Sequence, residues 1–151
     1  NKLGVETYST ISFQHFIVAN SSLESSIGKM IPLGGISNVK TIFCNEEGYW
    51  SIYESDEYGF NNTKGMYKKG NIDIMLIGDS FSQGACVKPD QNIGAVLREL
   101  GVNAISLGNG GNGPLTEFAT LKEYVIPLKQ KIFFWLYFTN DFVDMESEIT
   151  S

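Results

Sequence analysis

Three short apolar runs, each ending abruptly in small or polar residues, constrain this chain more than any other feature. They occupy residues 72–77, 102–107 and 132–138. Their exits are Gly78-Asp79-Ser80, the glycine-rich stretch 108–113, and Thr139-Asn140-Asp141. Unalternating apolar runs of this length suit strands buried on both faces. Between the first two, residues 91–100 carry Ile93, Val96, Leu97 and Leu100 at spacings of three and four, which predicts a helix with one apolar face and Gly101 as its cap. Between the second and third, Leu115, Phe118, Leu121, Val125 and Leu128 repeat that spacing over 115–128, behind a Pro114 placed where a first helical turn tolerates it. Strand, helix, strand, helix, strand predicts an α/β fold with a parallel sheet and right-handed crossovers, starting at residue 72.

Residues 1–71 read as an extension to that core. Thr41-Ile42-Phe43-Cys44 and Tyr49-Trp50-Ser51-Ile52-Tyr53 are β-type runs separated by Asn45-Glu46-Glu47-Gly48, which predicts a β-hairpin over about 40–54. The aromatics of the following loop, 55–62, are expected to pack this hairpin onto the main sheet, and 64–71 is a connector. Residues 1–39 say least: Phe13, Phe16, Ile17 and Val18 suit a short strand or a helix turn, with loops at 20–22 and 32–35. The triplets at Asn20 and Asn61 fit the glycosylation pattern, but matches this short arise by chance.

Length and charge narrow the function. The 151 residues suit one domain, and no apolar run approaches the length needed to span a bilayer. A net charge of −6 with no basic stripe argues against nucleic acid. Cys44 and Cys86 fit either one disulfide in an oxidising compartment or two free thiols; their spacing matches no zinc pattern, and His15 is the one histidine. No metal or cofactor is implied. The chain opens at Asn1 without Met and closes in MESEITS, so it is expected to be a piece of a longer polypeptide. That leaves room for membrane attachment through a preceding segment, and it leaves the compartment open.

A parallel sheet sets reactive groups beyond the carboxyl ends of its strands. Here those ends offer Ser80, a run of glycines and Asn140, which is what acyl transfer uses: a nucleophilic oxygen, plus backbone and amide donors for an oxyanion. The plain alternative is that Asp79-Ser80 caps the next helix.

These residues resemble the SGNH (GDSL-type) hydrolases. Gly78-Asp79-Ser80-Phe81-Ser82 is similar to that family's first sequence block, Ser106-Leu107-Gly108-Asn109-Gly110-Gly111-Asn112 to its second, and Asn140-Asp141 to its third. The likeness covers residue 72 to about 144, roughly half the chain. It implies a three-layer, flavodoxin-like α/β fold, C-terminally incomplete, with Ser80 as nucleophile. It also implies an oxyanion hole made by the N–H of Ser80, the N–H of Gly111 (with Gly108 and Gly110 as fallbacks) and the amide of Asn140. Gly111 is chosen because it falls five residues after Ser106, which takes the place of the family's usual Asn. Supporting roles fall to Asp79, which orders the loop, to Asn112 and Asn109, which touch substrate or satisfy the loop backbone, and to Asp141. Ser82 lies two residues beyond the Gly-Asp-Ser frame and is read as a decoy. A looser likeness, carried by the hairpin and Tyr58-Gly59-Phe60-Asn61-Asn62, is to SGNH-like proteins found with bacterial surface-polysaccharide genes. It points to O-acyl groups of a carbohydrate as substrate and to an extracytoplasmic or membrane-associated setting.

Two departures stand out. Phe138 and Thr139 fill places where the family carries a glycine, and no Asp-x-x-His block, the family's source of the general base, is present. His15 precedes the nucleophile with no Asp three residues before it and does not replace that block. These 151 residues are therefore expected to hydrolyse activated esters feebly or not at all. Three rivals stay open: an O-acyltransferase of the same family, a non-catalytic carbohydrate-binding module, and a dinucleotide-binding domain. The last rests on residues 108–113, which satisfy G-x-G-x-x-G, although no acidic residue ends the next strand.

Overall fold

The computed structural model describes residues 7–9, 23–25, 28–46 and 48–150. In chain order come β1 (Tyr8–Ser9), β2 (Leu23–Ser25), β3 (Gly28–Met30), β4 (Lys40–Ile42) and β5 (Ile52–Glu54). The core follows with β6 (Ile74–Ile77), α1 (Ser80–Gln83), α2 (Ile93–Glu99), β7 (Ala104–Ser106), α3 (Pro114–Thr120), β8 (Phe133–Trp135) and α4 (Asp141–Thr150). Strands β6, β7 and β8 form a parallel sheet in the order β7-β6-β8, with Leu76 opposite both Ser106 and Phe134. The α/β reading with a parallel sheet therefore holds. The expectations at Phe13, Phe16–Val18 and Asn20–Ser22, together with His15, lie outside the described residues.

The hairpin forms in the expected place. β4 and β5 pair antiparallel, Thr41 against Tyr53, and Gly48 takes φ +79° in the loop. β1 adds to β4 in parallel, and β2 pairs with β3; neither was expected. Cys44 and Cys86 form a disulfide, which resolves the two readings of these cysteines. Tyr49 Oη donates to the Cys86 carbonyl at 3.2 Å and Ser51 Oγ to the Val87 carbonyl at 2.8 Å, so the hairpin is clamped to the loop after α1. By chain entropy, closing a loop of 42 residues stabilises by about 4 kcal/mol. The double variant Cys44→Ser/Cys86→Ser is expected to lose about that much in urea unfolding; an unchanged midpoint would show that the clamp holds without the bond.

Two side chains weld the extension to the sheet. Asn62 accepts from Ser106 N and donates to Ser106 O, both at 2.8 Å, so its amide stands where a neighbouring strand would satisfy β7. Fully buried Asp56 orders the preceding loop: its carboxylate accepts from Tyr58 N, Phe60 N, Asn62 Nδ2 and Tyr67 Oη at 2.8–2.9 Å. Phe60 enters the core with Met75, Ile77, Ile105, Leu107 and Val125, as the packing role given to the loop aromatics requires. Asn61 and Asn62 are buried, so the triplet there is no glycosylation acceptor.

Three expectations need correction. The third apolar run is not a buried strand, for β8 is three residues long, lies at the sheet edge, and is exposed along its length. Helix α2 does not rest on Ile93, Val96 and Leu100, which are exposed. It lies on the sheet through Gly94, the one buried residue of the helix, because two side chains fix its rotation. Asn92 caps Ala95 N and Arg98 Nη1 donates to the Ala104 carbonyl, both at 2.8 Å. The helix expected over 115–128 is α3 followed by a π turn at Leu121–Val125, where Ile126 N bonds back to Leu121 O at 3.1 Å just before Pro127. Its second half supplies the core with Val125, Leu121 and Leu128, whereas Leu115 and Phe118 stay about half exposed. No helix among the described residues is long and apolar enough to cross a membrane.

Candidate active site

Ser80 opens α1 immediately after β6, with Asp79 as its N-cap: Asp79 Oδ1 accepts Phe81 N at 2.9 Å. The capping reading of Asp-Ser is thus correct for Asp79, and it leaves Ser80 unburdened. Ser80 is half-buried, and among the described residues its hydroxyl takes part in no hydrogen bond. Gly78 permits the turn by having no side chain, since a Cβ there would stand 2.9 Å from the Leu136 carbonyl. Ser82 is fully buried with its hydroxyl 3.1 Å from Ser106 Oγ, which makes it a packing residue.

The second exit is drawn against the first. Asn109 N donates to Gly78 O at 3.3 Å, and a Cβ on Gly108 would lie 2.3 Å from Gln83 N, so only glycine lets this loop touch α1. Gly110 N is taken by Gln83 Oε1 at 2.7 Å, which removes it as a fallback donor. Gly108 N is likewise directed at Ser106 Oγ, 3.3 Å away. Gly111 has φ +79°, and among the described residues no acceptor takes its N–H or that of Ser80. Asn109 and Asn112 are buried; Asn109 Nδ2 reaches Asn112 Oδ1 at 3.5 Å, and Asn112 Nδ2 has no partner among the described residues.

Asn140 arrives from the third exit. Its Nδ2 donates to Asp79 Oδ2 at 2.7 Å and to Asp144 Oδ2 at 3.3 Å. With the amide turned the other way its oxygen would face two carboxylates, so this orientation is fixed by charge. The short bond to Asp79 ties Asn140 to the residue before Ser80. The bond to Asp144 is the longer of the two. Beside them Phe138 packs against Phe81 with ring centroids 4.8 Å apart, an aromatic pair next to Ser80. A cleft of about 450 Å³ on the other side of α1 is lined by Ser80, Phe81, Ala85, Val87 and Ile93, among others; Gly111 and Asn140 are not in its lining.

Asp141 differs from its expected role. It is fully buried, with Oδ2 accepting Phe138 N and Oδ1 unpartnered among the described residues, so it fixes the β8–α4 turn and is closed to substrate. Burial raises its pKa, and the nearby charges of Asp79, Asp144 and Glu148 add to that. Glu117 is buried too, its pKa pushed up to about 8 by burial, with Asp141, Asp79 and Glu148 adding; Trp135 Nε1 donates to it at 2.5 Å.

Three contributors went unread in the sequence. Gln83 holds Gly110 and Tyr53 Oη at once; Glu117 lies buried behind the site; and Glu148 of α4 covers the start of α3. Glu148 accepts from Gly113 N, Leu115 N, Thr116 N and Thr116 Oγ1 at 2.5–3.0 Å. The chain's own carboxylate thus occupies the helix start that a dinucleotide's phosphates would need, which counts against the dinucleotide reading. A fixed contact of this kind carries no local pattern, whereas the position of Gln83 three residues after Ser80 was a signal that helix periodicity offered. No group of acidic, cysteine or histidine residues suited to a metal ion is found among the described residues. Comparison with protein-family models, with curated proteins and with solved structures finds no match for this chain.

Proposed function

We propose that this chain is the core of a serine esterase of SGNH type, with that family's three-layer fold, which acts on O-acyl groups of a carbohydrate through an acyl-enzyme on Ser80. The observation that carries the reading is the set at the strand exits. Among the described residues the Ser80 hydroxyl and the N–H groups of Ser80 and Gly111 take part in no hydrogen bond, and the Asn140 amide is bonded to Asp79. In the reaction a base takes the Ser80 proton as Oγ attacks the ester carbonyl carbon. The resulting oxyanion accepts from Ser80 N–H, Gly111 N–H and Asn140 Nδ2. Its collapse breaks the bond to the alkoxy oxygen, which leaves with the proton held by the base, and water then releases the acyl group. Passing the acyl group to a sugar hydroxyl in place of water makes the same site an O-acyltransferase.

No histidine stands among the described residues, and the base is assigned to an Asp-x-x-His segment outside these 151 residues. That same absence favours a second reading, a carbohydrate-binding module that keeps an SGNH-like core. An activated ester separates them. On prolonged incubation with p-nitrophenyl acetate, peptide mapping should find the acetyl group on Ser80 ahead of other hydroxyls, and Ser80→Ala should lose that label. Acetylation spread evenly over surface residues would sink the esterase reading and leave the binding module.

A further inference from the structure

We propose that a second cavity, separate from the Ser80 cleft, binds a small hydroxylated carboxylate of monosaccharide size, with Arg98 as its anion-binding group. The cavity is about 410 Å³, within the range of ligand sites, and its lining includes Tyr53, Glu54, Asn61, Thr63, Lys64 and Arg98. It shares no lining residue with the cleft beside Ser80.

Its charge is unbalanced in one place. Lys64 and Glu54 neutralise one another at 2.6 Å. Arg98 is half-buried, and among the described residues its guanidinium pairs with no carboxylate and makes one hydrogen bond, from Nη1 to the Ala104 carbonyl. A guanidinium carries five donors in a planar fork that fits a carboxylate through two parallel bonds. Burial lowers the pKa of Arg98, which is the electrostatic mark of a cation that lacks a partner.

A second observation gives the ligand hydroxyls. Asn61 is 7% exposed and spends Nδ2 on the Gln83 carbonyl at 2.9 Å, while its Oδ1 accepts nothing among the described residues. Asn61 lines the cavity, so this amide oxygen is available to a donor such as a ligand hydroxyl. Thr63, exposed on the same wall, offers a further hydroxyl contact. Because Asn61 and Tyr53 both hold Gln83, and Gln83 holds Gly110 N, the wall of this cavity is bonded to the glycine loop through one residue.

The test is a titration of the 151-residue chain with sodium glucuronate, followed by amide chemical shifts, with glucose and inorganic phosphate in parallel. Glucuronate should bind saturably and at least tenfold more tightly than either control. Arg98→Met should weaken it tenfold or more. Since that variant also gives up the bond to Ala104, Thr63→Val, at an exposed position with no hydrogen bond among the described residues, is the second arm and should weaken binding several-fold in a chain that unfolds like the original. Absence of saturable binding, equal binding of glucose, tighter binding of phosphate, or unchanged affinity in both variants would overturn the proposal. The outcome is independent of whether Ser80 is acylated, so failure here leaves the esterase reading standing.

Discussion

Ser80→Ala, in a polypeptide that also carries a downstream Asp-x-x-His segment, is expected to lower ester turnover by about 10³-fold or more, because no other group near the strand exits offers an activated oxygen. Ser82 does not substitute, since its hydroxyl is buried against Ser106. Asn140→Ala should cost about 10²–10³ in kcat with a smaller change in KM, as expected for a donor used most in the transition state. Asp79→Asn separates positioning from chemistry. It keeps an acceptor for Phe81 N but weakens the charge-assisted bond to Asn140 Nδ2, so it should lower kcat by less than Asn140→Ala does. If the polypeptide turned over acyl esters equally well as Ser80→Ala, the nucleophile assignment would be wrong.

Between pH 5 and pH 8 the folded protein is expected to lose stability, and Glu117→Gln to remove most of that loss. Burial holds the Glu117 carboxyl at about 8 against an ordinary value of 4.5, so across this window the native state keeps a proton that the unfolded chain has released. Stability is therefore fully present below pH 4.5 and falls as pH rises towards 8. At about 1.4 kcal/mol per pH unit these three units are worth at most about 4 kcal/mol. Gln cannot ionise and still accepts from Trp135 Nε1. Urea unfolding of both proteins at pH 5 and pH 8 checks this. A wild-type midpoint that does not move, or a variant that falls as steeply, would show that Glu117 is ionised at little cost.

The three strand exits were legible because each is a local event: an apolar run stops and a glycine or polar residue follows. The hairpin was legible for the same reason. What went wrong concerns faces. The apolar run around β8 suits a strand covered on both sides, yet nothing in a run of residues says whether a neighbour will arrive to cover it. In α2 the spacing of Ile93, Val96 and Leu100 was helical, but Asn92 and Arg98 decided which side meets the sheet. Helix α4 was not read at all, although its Glu148 holds the start of α3.

The sequence by itself determined the order of elements, the turn at Gly78, and Ser80 and Asn140 as residues at strand exits, because these depend on neighbours in the chain. Only the tertiary structure decided what each group has left to offer. It set Gly110 N on Gln83, closed Asp141 and Ser82 into the interior, locked Asn140 to Asp79, and left the N–H groups of Ser80 and Gly111 without an acceptor among the described residues. The physical reason is that a polar group's chemistry depends on which partners already satisfy it, and those partners come from 27 residues away for Gly110 and 61 for Asn140.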